Sequence, residues 1–385
     1  METTTMVAIL QQLIRIQSVN GNEADVARYI AGLFAPYGKR ATVETVTYAP
    51  GRDNLVVTIG NPQTGPQLGF SGHMDVVAPG ELNEWDVAPF AAEIQGDRLY
   101  GRGASDMKSG LAALVITMLE MLEQGEPTTG SIRLLATVGE ETGEYGAAQL
   151  TDAGYADHLA GLVIAEPSGM TKLSYTSRGV IDYYVDSLGK AAHSANPQKG
   201  INAIDHLLAF YNEVTALMKT FNKMDPILGG LIHNVDMISG GEQINSVPDH
   251  ARLAANIRTT PAYPNKVIYE ALEGLIDHLN QRPGYQLSIT YSYPEEAVPG
   301  RVDGPMFKLA QKVGRRVMGR PIMPVGSAGA NDGAEFRRAK LPFETIVIGP
   351  GSNTSHEVNE FISINQFLLS VQFYEQFALR FLGEK

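Results

Sequence analysis

Four short apolar runs in this chain end in side chains capable of chemistry, and that recurrence limits the possible folds more than any single motif. Leu68 to Ser71 leads through Gly72 to His73 and Asp75, and Ser131 to Val138 leads through Gly139 to Glu140 and Glu141. Gly161 to Ala165 leads to Glu166, and Glu344 to Ile348 leads through Gly349 to a segment holding His356. Short apolar runs closed by glycine predict buried strands. Between them lie helical patterns: Met6, Ile9, Leu10, Leu13 and Ile14; then Val26, Tyr29, Ile30 and Leu33, stopped by Gly38. Asp106 is expected to open a third helix, with Leu111, Leu114, Val115, Met118, Leu119 and Leu122 on one face. Buried strands alternating with such helices predict an α/β fold, a sheet flanked by helices. In an open α/β sheet the ligand crevice lies beyond the carboxyl ends of the strands, so these scattered groups should meet at one rim.

From Arg178 the pattern changes. Ile181, Tyr183 and Val185 alternate with polar residues, as in a sheet with one wet face. A helix from about Ile201 to Lys219, two strands, a helix with Ile268, Leu272, Ile276 and Leu279, and a strand with Leu287, Ile289 and Tyr291 complete a β-α-β-β-α-β series. That order is the ferredoxin-like split unit. A chain of 385 residues exceeds what one core usually supports, so residues 178–293 are read as a domain inserted between 1–177 and 294–385.

Composition narrows the function. No apolar run reaches membrane-spanning length, and Met1-Glu2-Thr3-Thr4-Thr5 lacks the basic start of a secretory signal, so a cytoplasmic enzyme of small molecules is expected. A net charge of −12 without clustered Lys and Arg argues against nucleic acid as a partner. With no cysteine, any metal must be held by oxygen and imidazole. Gly101-Arg102-Gly103-Ala104-Ser105-Asp106 has aspartate where a dinucleotide loop needs its third glycine, and neither a Walker motif nor a Gly-x-Ser-x-Gly elbow is present.

His73, Asp106, Glu140, Glu141, Glu166 and His356 at one rim would repel one another unless cations lie among them. Hard oxygen and imidazole donors suit Zn²⁺ first and Co²⁺ or Mn²⁺ next, and six such groups suit two divalent ions better than one. Asp75, two residues behind His73, fits a carboxylate that orients the ligating imidazole.

Ser71-Gly72-His73-Met74-Asp75, the stretch Tyr100 to Lys108, Gly139-Glu140-Glu141, Ala165-Glu166-Pro167, Gly189 to His193, and Gly349-Pro350-Gly351 leading to His356 together resemble the co-catalytic zinc deacylase and exopeptidase family. Acetylornithine deacetylase, succinyl-diaminopimelate desuccinylase, aminoacylase and several carboxy- and dipeptidases belong to it. The resemblance implies a zinc-exopeptidase-like mixed sheet with flanking helices, and an inserted ferredoxin-like α+β domain serving as lid and dimerisation surface. It implies that Asp106 bridges two metals, with His73 and Glu166 completing one site and Glu141 and His356 the other. Glu140 would be the general base for a water held between the metals, with Asp75 also catalytic. His193 would donate to the oxyanion, in dimeric members from the other subunit of a homodimer. Arg178, Asn245, Arg258 and Gly329 resemble substrate-contacting positions. The expected substrate is an N-acyl amino acid, N-succinyl first as in lysine biosynthesis, with acetylornithine-type deacetylation and dipeptide or carboxypeptide hydrolysis as alternatives. One departure stands out: Ala330 occupies a position where desuccinylases carry a hydroxyl residue.

Overall fold

The computed structural model describes residues 1–329 and 331–383, positions 293 and 294 by backbone only. They form two compact units. One is built from Met1–Tyr175, Gly300–Val325 and the chain from Asn331 onward; the other from Thr176–Pro299 and the return at 326–329. Residues 176–177, 294–299 and 326–329, expected with the first unit, thus lie with the second. Main-chain bonds account for this: Ser177 and Val298 form an antiparallel bridge, and Arg178 N donates to Ser327 O at 3.0 Å.

An eight-stranded mixed sheet, carried by the first unit except at 176–177 and 326–327, runs in the order Ala41–Ala49, Arg52–Gly60, Ser131–Thr137, Gln67–His73, Gly161–Ile164, Glu344–Val347, Lys172–Ser177 and Met323–Ser327. Gln67–His73 runs parallel to both of its neighbours, and Gly161–Ile164 runs parallel to Glu344–Val347. Four strands therefore present their carboxyl ends at one edge, as the sequence pattern implied.

Alternation along these strands feeds two cores. Val56, Leu135, Leu162 and Ile164 pack with Ala147, Leu150 and Phe336 on one face. Leu55, Val57, Phe70, Leu134, Val163 and Ile346 face the other, with side chains from the helices Thr3–Arg15, Ala24–Phe34, Lys108–Gln124, Pro305–Met318 and Ile364–Phe381. Lys108–Gln124 is buried along nearly its whole length and ends on Gly125 at φ 80°, a left-handed stop that glycine adopts without strain. It begins two residues after Asp106, so that carboxylate does not cap it; the side chain turns to the histidines instead.

In the second unit the strands lie in the order Ile232–Gly240, His250–Thr259, Gly179–Leu188 and Leu287–Glu295, antiparallel throughout. This is the expected split β-α-β-β-α-β arrangement. Helices Ala203–Met218 and Asn265–Asn280 cover one face through Leu207, Phe210, Ile268 and Leu272, packed on Ile181, Tyr183, Leu253 and Ile257.

Candidate metal centre

His73 closes the strand Gln67–His73 and is 1% exposed. Its Nε2 lies 3.2 Å from Asp106 Oδ1, 3.7 Å from Glu166 Oε1 and 3.9 Å from Glu140 Oε2. Its Nδ1 approaches the main-chain oxygen of Asp75 at 2.9 Å, while the Asp75 carboxylate stands 3.6 Å away. The carboxylate expected to orient the imidazole is therefore occupied elsewhere, accepting from the amides of Glu140 and Glu141.

Gly139, at φ 69°, turns the chain out of the strand Ser131–Thr137 and into the one-turn helix Glu140–Gly143. A Cβ there would lie 2.7 Å from Arg52 Nη2, so glycine suits both the backbone and the space. Glu166 follows the strand Gly161–Ile164 by two residues. Asp106 stands between the two imidazoles: Oδ1 faces His73, and Oδ2 lies 3.5 Å from His356 Nε2. His356 Nε2 is also 3.0 Å from Glu141 Oε1.

Among the described residues three donor groups result, each with its ligand atoms within 4.8 Å of one another: His73, Asp106 and Glu166; Asp106, Glu141 and His356; and His73, Glu140 and Glu141. The electrostatics call for positive charge. Burial pushes the Glu140 and Glu166 carboxyls well above the ordinary range; Glu166, Asp332 and Glu141 add to the rise of Glu140, and Asp106, Asp332 and Glu141 to that of Glu166. Burial alone would lower His73, but Glu166, Asp106, Glu140 and Asp75 outweigh it and hold the imidazole well above its usual value. Asp106 goes the other way: burial opposes its charge, yet His73 and His356 keep its carboxyl below the usual range.

Two acidic residues at this rim escaped the motif reading. Asp332 is buried, its Oδ2 accepts from Thr137 Oγ1, and its Oδ1 has no hydrogen-bond partner among the described residues. Burial pushes its carboxyl up to about 7. Glu360 is fully buried against the turn that carries Asp106. An acid placed directly before the strand Phe361–Ser363 was the available signal.

The remaining candidates lie in the second unit. His193 is exposed, pairs with Ser246, and its Nδ1 accepts from Ala195 N at 3.1 Å. Asn245 is exposed beside it, its main-chain oxygen accepting from Ser194 N at 3.0 Å. Arg178 is 7% exposed, and its guanidinium donates to Leu228 O and, at 2.8 Å, to Gly230 O. Arg258 sits between Val180 and Ile232 in the sheet, and no described residue forms an ion pair with it. Gly329 O accepts from Ser327 Oγ at 2.9 Å; Ala330 lies outside the described residues.

The model of Peptidase family M20/M25/M40 matches residues 69–380. A probable succinyl-diaminopimelate desuccinylase of Staphylococcus aureus (strain N315) is 33% identical over 406 residues, spanning 98% of each chain. A solved tripeptidase from Staphylococcus aureus shares the fold with a TM-score of 0.79 at 22% identity, covering 100% of this chain and 99% of that one. A dinuclear metal binding peptidase of the M20 family from Bacillus subtilis does so with a TM-score of 0.74 at 14% identity, again covering 100% and 99%. The strand-end acids and imidazoles, the full-length relative and the family match agree: this chain belongs to Peptidase family M20/M25/M40 and is a hydrolase of amide bonds.

Proposed function

We propose that this protein removes an N-acyl group, N-succinyl by preference, from an amino acid. The observation that carries the acyl specificity is the 33% identity to a probable succinyl-diaminopimelate desuccinylase over 98% of both chains. The donor set fits two divalent ions, Zn²⁺ first and Co²⁺ or Mn²⁺ next: His73, Asp106 and Glu166 for one, Asp106, Glu141 and His356 for the other. Bound there, such ions would polarise the substrate carbonyl and lower the pKa of a water toward ~7.

Glu140 is left over from both sets and serves as the general base. It takes the proton of the attacking water and delivers it to the leaving amine nitrogen. Burial first, and the neighbouring acids second, raise its carboxyl in the metal-free cluster, and the positive charge of bound ions would draw it back toward the carboxylate form that accepts a proton. Asp75 acts through position, fixing the turn that presents Glu140 and Glu141. His193 is the oxyanion donor: with Nδ1 accepting from Ala195 N, a neutral ring carries its proton on Nε2 and can only donate there.

Arg258 is our choice for the free carboxylate of a succinyl group, and Asn245 and Gly329 for further substrate contacts. Arg178 favours the second reading, an acetyl-specific deacylase or a peptidase, because its guanidinium is already taken by backbone carbonyls. For quaternary structure we assign a homodimer through the inserted domain. Ile232–Gly240 is an edge strand exposing Ile232, Met237 and Ile238, and the helix Ala203–Met218 exposes Leu208 and Tyr211.

The deciding experiment compares kcat/KM for N-succinyl, N-acetyl, dipeptide and tripeptide substrates with zinc- and cobalt-loaded protein. N-succinyl substrates should lead by at least tenfold, the order of one well-made charge contact. Faster cleavage of neutral acyl groups or of peptides would remove the desuccinylase reading and leave the second.

A further inference from the structure

Asp106 and His356 both stand on segments outside the main sheet and its helices, yet their side chains come within 3.5 Å of each other. Glu360 joins those segments. Its carboxylate is 0% exposed and gathers four donors from the turn that ends in Asp106. Oε1 accepts from Ser105 N at 2.8 Å and Asp106 N at 2.9 Å; Oε2 accepts from Gly103 N at 2.9 Å and Arg102 Nη1 at 2.6 Å. Main-chain bonds extend the seam. Gly101 N donates to Glu360 O at 2.9 Å, and Phe361–Ser363 pairs with Arg98–Tyr100. Toward the metal ligands, Ser352 N donates to Ser105 Oγ at 2.9 Å, and the hydroxyls of Ser105 and Ser355 lie 3.1 Å apart. Ser355 precedes His356, and Ser105 precedes Asp106.

By contrast, His73 and Glu166 are delivered by strands in the middle of the sheet, hydrogen-bonded on both sides. Of their donor set only Asp106 leans on the seam, whereas in the second set Asp106 and His356 both do. We infer that Glu360, paired with Arg102, is a positioning residue: it sets the register between the Asp106 turn and the His356 loop, and through it the metal affinity of the Asp106, Glu141 and His356 donor set. This deepens the two-ion reading and rests on it.

A carboxylate that merely held two loops together would also be buried and paired, so the test must separate the two sites. Glu360→Gln keeps the shape but turns an NH₂ toward donors that need an acceptor. Full-length apo protein is titrated with Co²⁺ against a competing chelator, following the absorption bands of each ion, with circular dichroism to confirm folding. Wild type should bind in two steps. In Glu360→Gln the first step, which shares only Asp106 with the seam, should weaken by no more than about fivefold while the second weakens about 10- to 100-fold, as when a ligand's hydrogen-bonded support is removed. Ser105→Ala cuts the same seam more gently and should weaken the second step about threefold. Unchanged steps, or both steps weakened alike, overturn the inference while leaving two bound ions in place. A wild-type protein that binds a single ion sinks the two-ion reading and the inference together. Should Glu360→Gln fail to fold, Ser105→Ala decides by the same criteria.

Discussion

The carboxylate of Asp75 accepts from the main-chain amide of Glu140 at 3.2 Å through one oxygen, and through the other it reaches the next amide along. An acid one strand away thus caps the turn that presents the proposed base. Asp75→Asn places an NH₂ against one of those amides, where two donors repel. The expected outcome is a 10- to 100-fold fall in kcat with KM within about twofold, measured by steady-state kinetics on metal-loaded protein. A KM effect alone would mean that Asp75 acts on the substrate and not on the turn.

Glu140→Gln separates base from ligand. Loss of a general base costs about 10²- to 10⁴-fold, so kcat should fall by that order while metal content by atomic emission stays at the wild-type ratio. Because Glu140 also belongs to a donor group with His73 and Glu141, equal loss of metal and activity would reassign it as a ligand.

The cluster sets a pH dependence whose sign is fixed. Burial raises the carboxyls of Asp75, Glu140, Glu166 and Asp332, so the folded apo protein holds protons that the unfolded chain has released. That contribution is complete below the ordinary carboxylate range and is lost as pH rises through the raised values. His73 acts in the same direction, being raised by its acidic neighbours against the pull of burial. Asp106, shifted down, loses its contribution only at lower pH. His206 and His233, lowered by burial, pull the other way but stand in the second unit. Between pH 5 and 7 the melting temperature of metal-loaded protein should pull steadily away from that of apo protein. A constant gap in scanning calorimetry would contradict the charge balance described for the cluster.

Two arginines should part company. Arg258→Met is expected to raise KM for N-succinyl substrates about tenfold or more and to leave unfolding by urea unchanged. Arg178→Met should strip the carbonyls of Leu228 and Gly230 of their donor and cost about 1–2 kcal/mol. Reversed effects would exchange the two roles.

Packing behind Glu166 leaves little tolerance. A Cβ on Gly110 would stand 2.1 Å from Ala165 O, and one on Gly349 would stand 2.2 Å from the same atom. Gly110→Ala should therefore destabilise the protein by about 1–3 kcal/mol in urea titration. No change would mean that the helix Lys108–Gln124 can move off the sheet.

The groups that were easiest to read were those delivered by apolar strands. His73, Glu140 and Glu166 each follow a run whose burial is written in its composition, so both the strand and the rim could be foreseen. Asp106 announced itself through a motif, but its helix start was misplaced by two residues, because a carboxylate before an apolar run looks like a cap whether or not it caps. Glu360 and Asp332 had no such signature. Their partners lie on distant segments, Gly103 to Asp106 for one and Thr137 for the other, and no spacing in a single chain encodes that. The strand Met323–Ser327 was also missed. It lies at the sheet edge and contains Pro324 and Gly326, residues that argue against a strand anywhere but at an edge.

The contact between His356 and Glu141 joins residues 215 positions apart. A ribosome must therefore add 215 residues after Glu141 before the acidic rim receives its last imidazole. Until then the nascent first unit carries Asp106, Glu141 and Glu166 with one histidine, a set able to hold an ion only at its strand-borne end. Complete metal loading is thus tied to late arrival of the segment that bears His356, and a product terminated before it would also lack the helix Ile364–Phe381, whose Phe367, Phe373 and Phe377 fill the first unit's core.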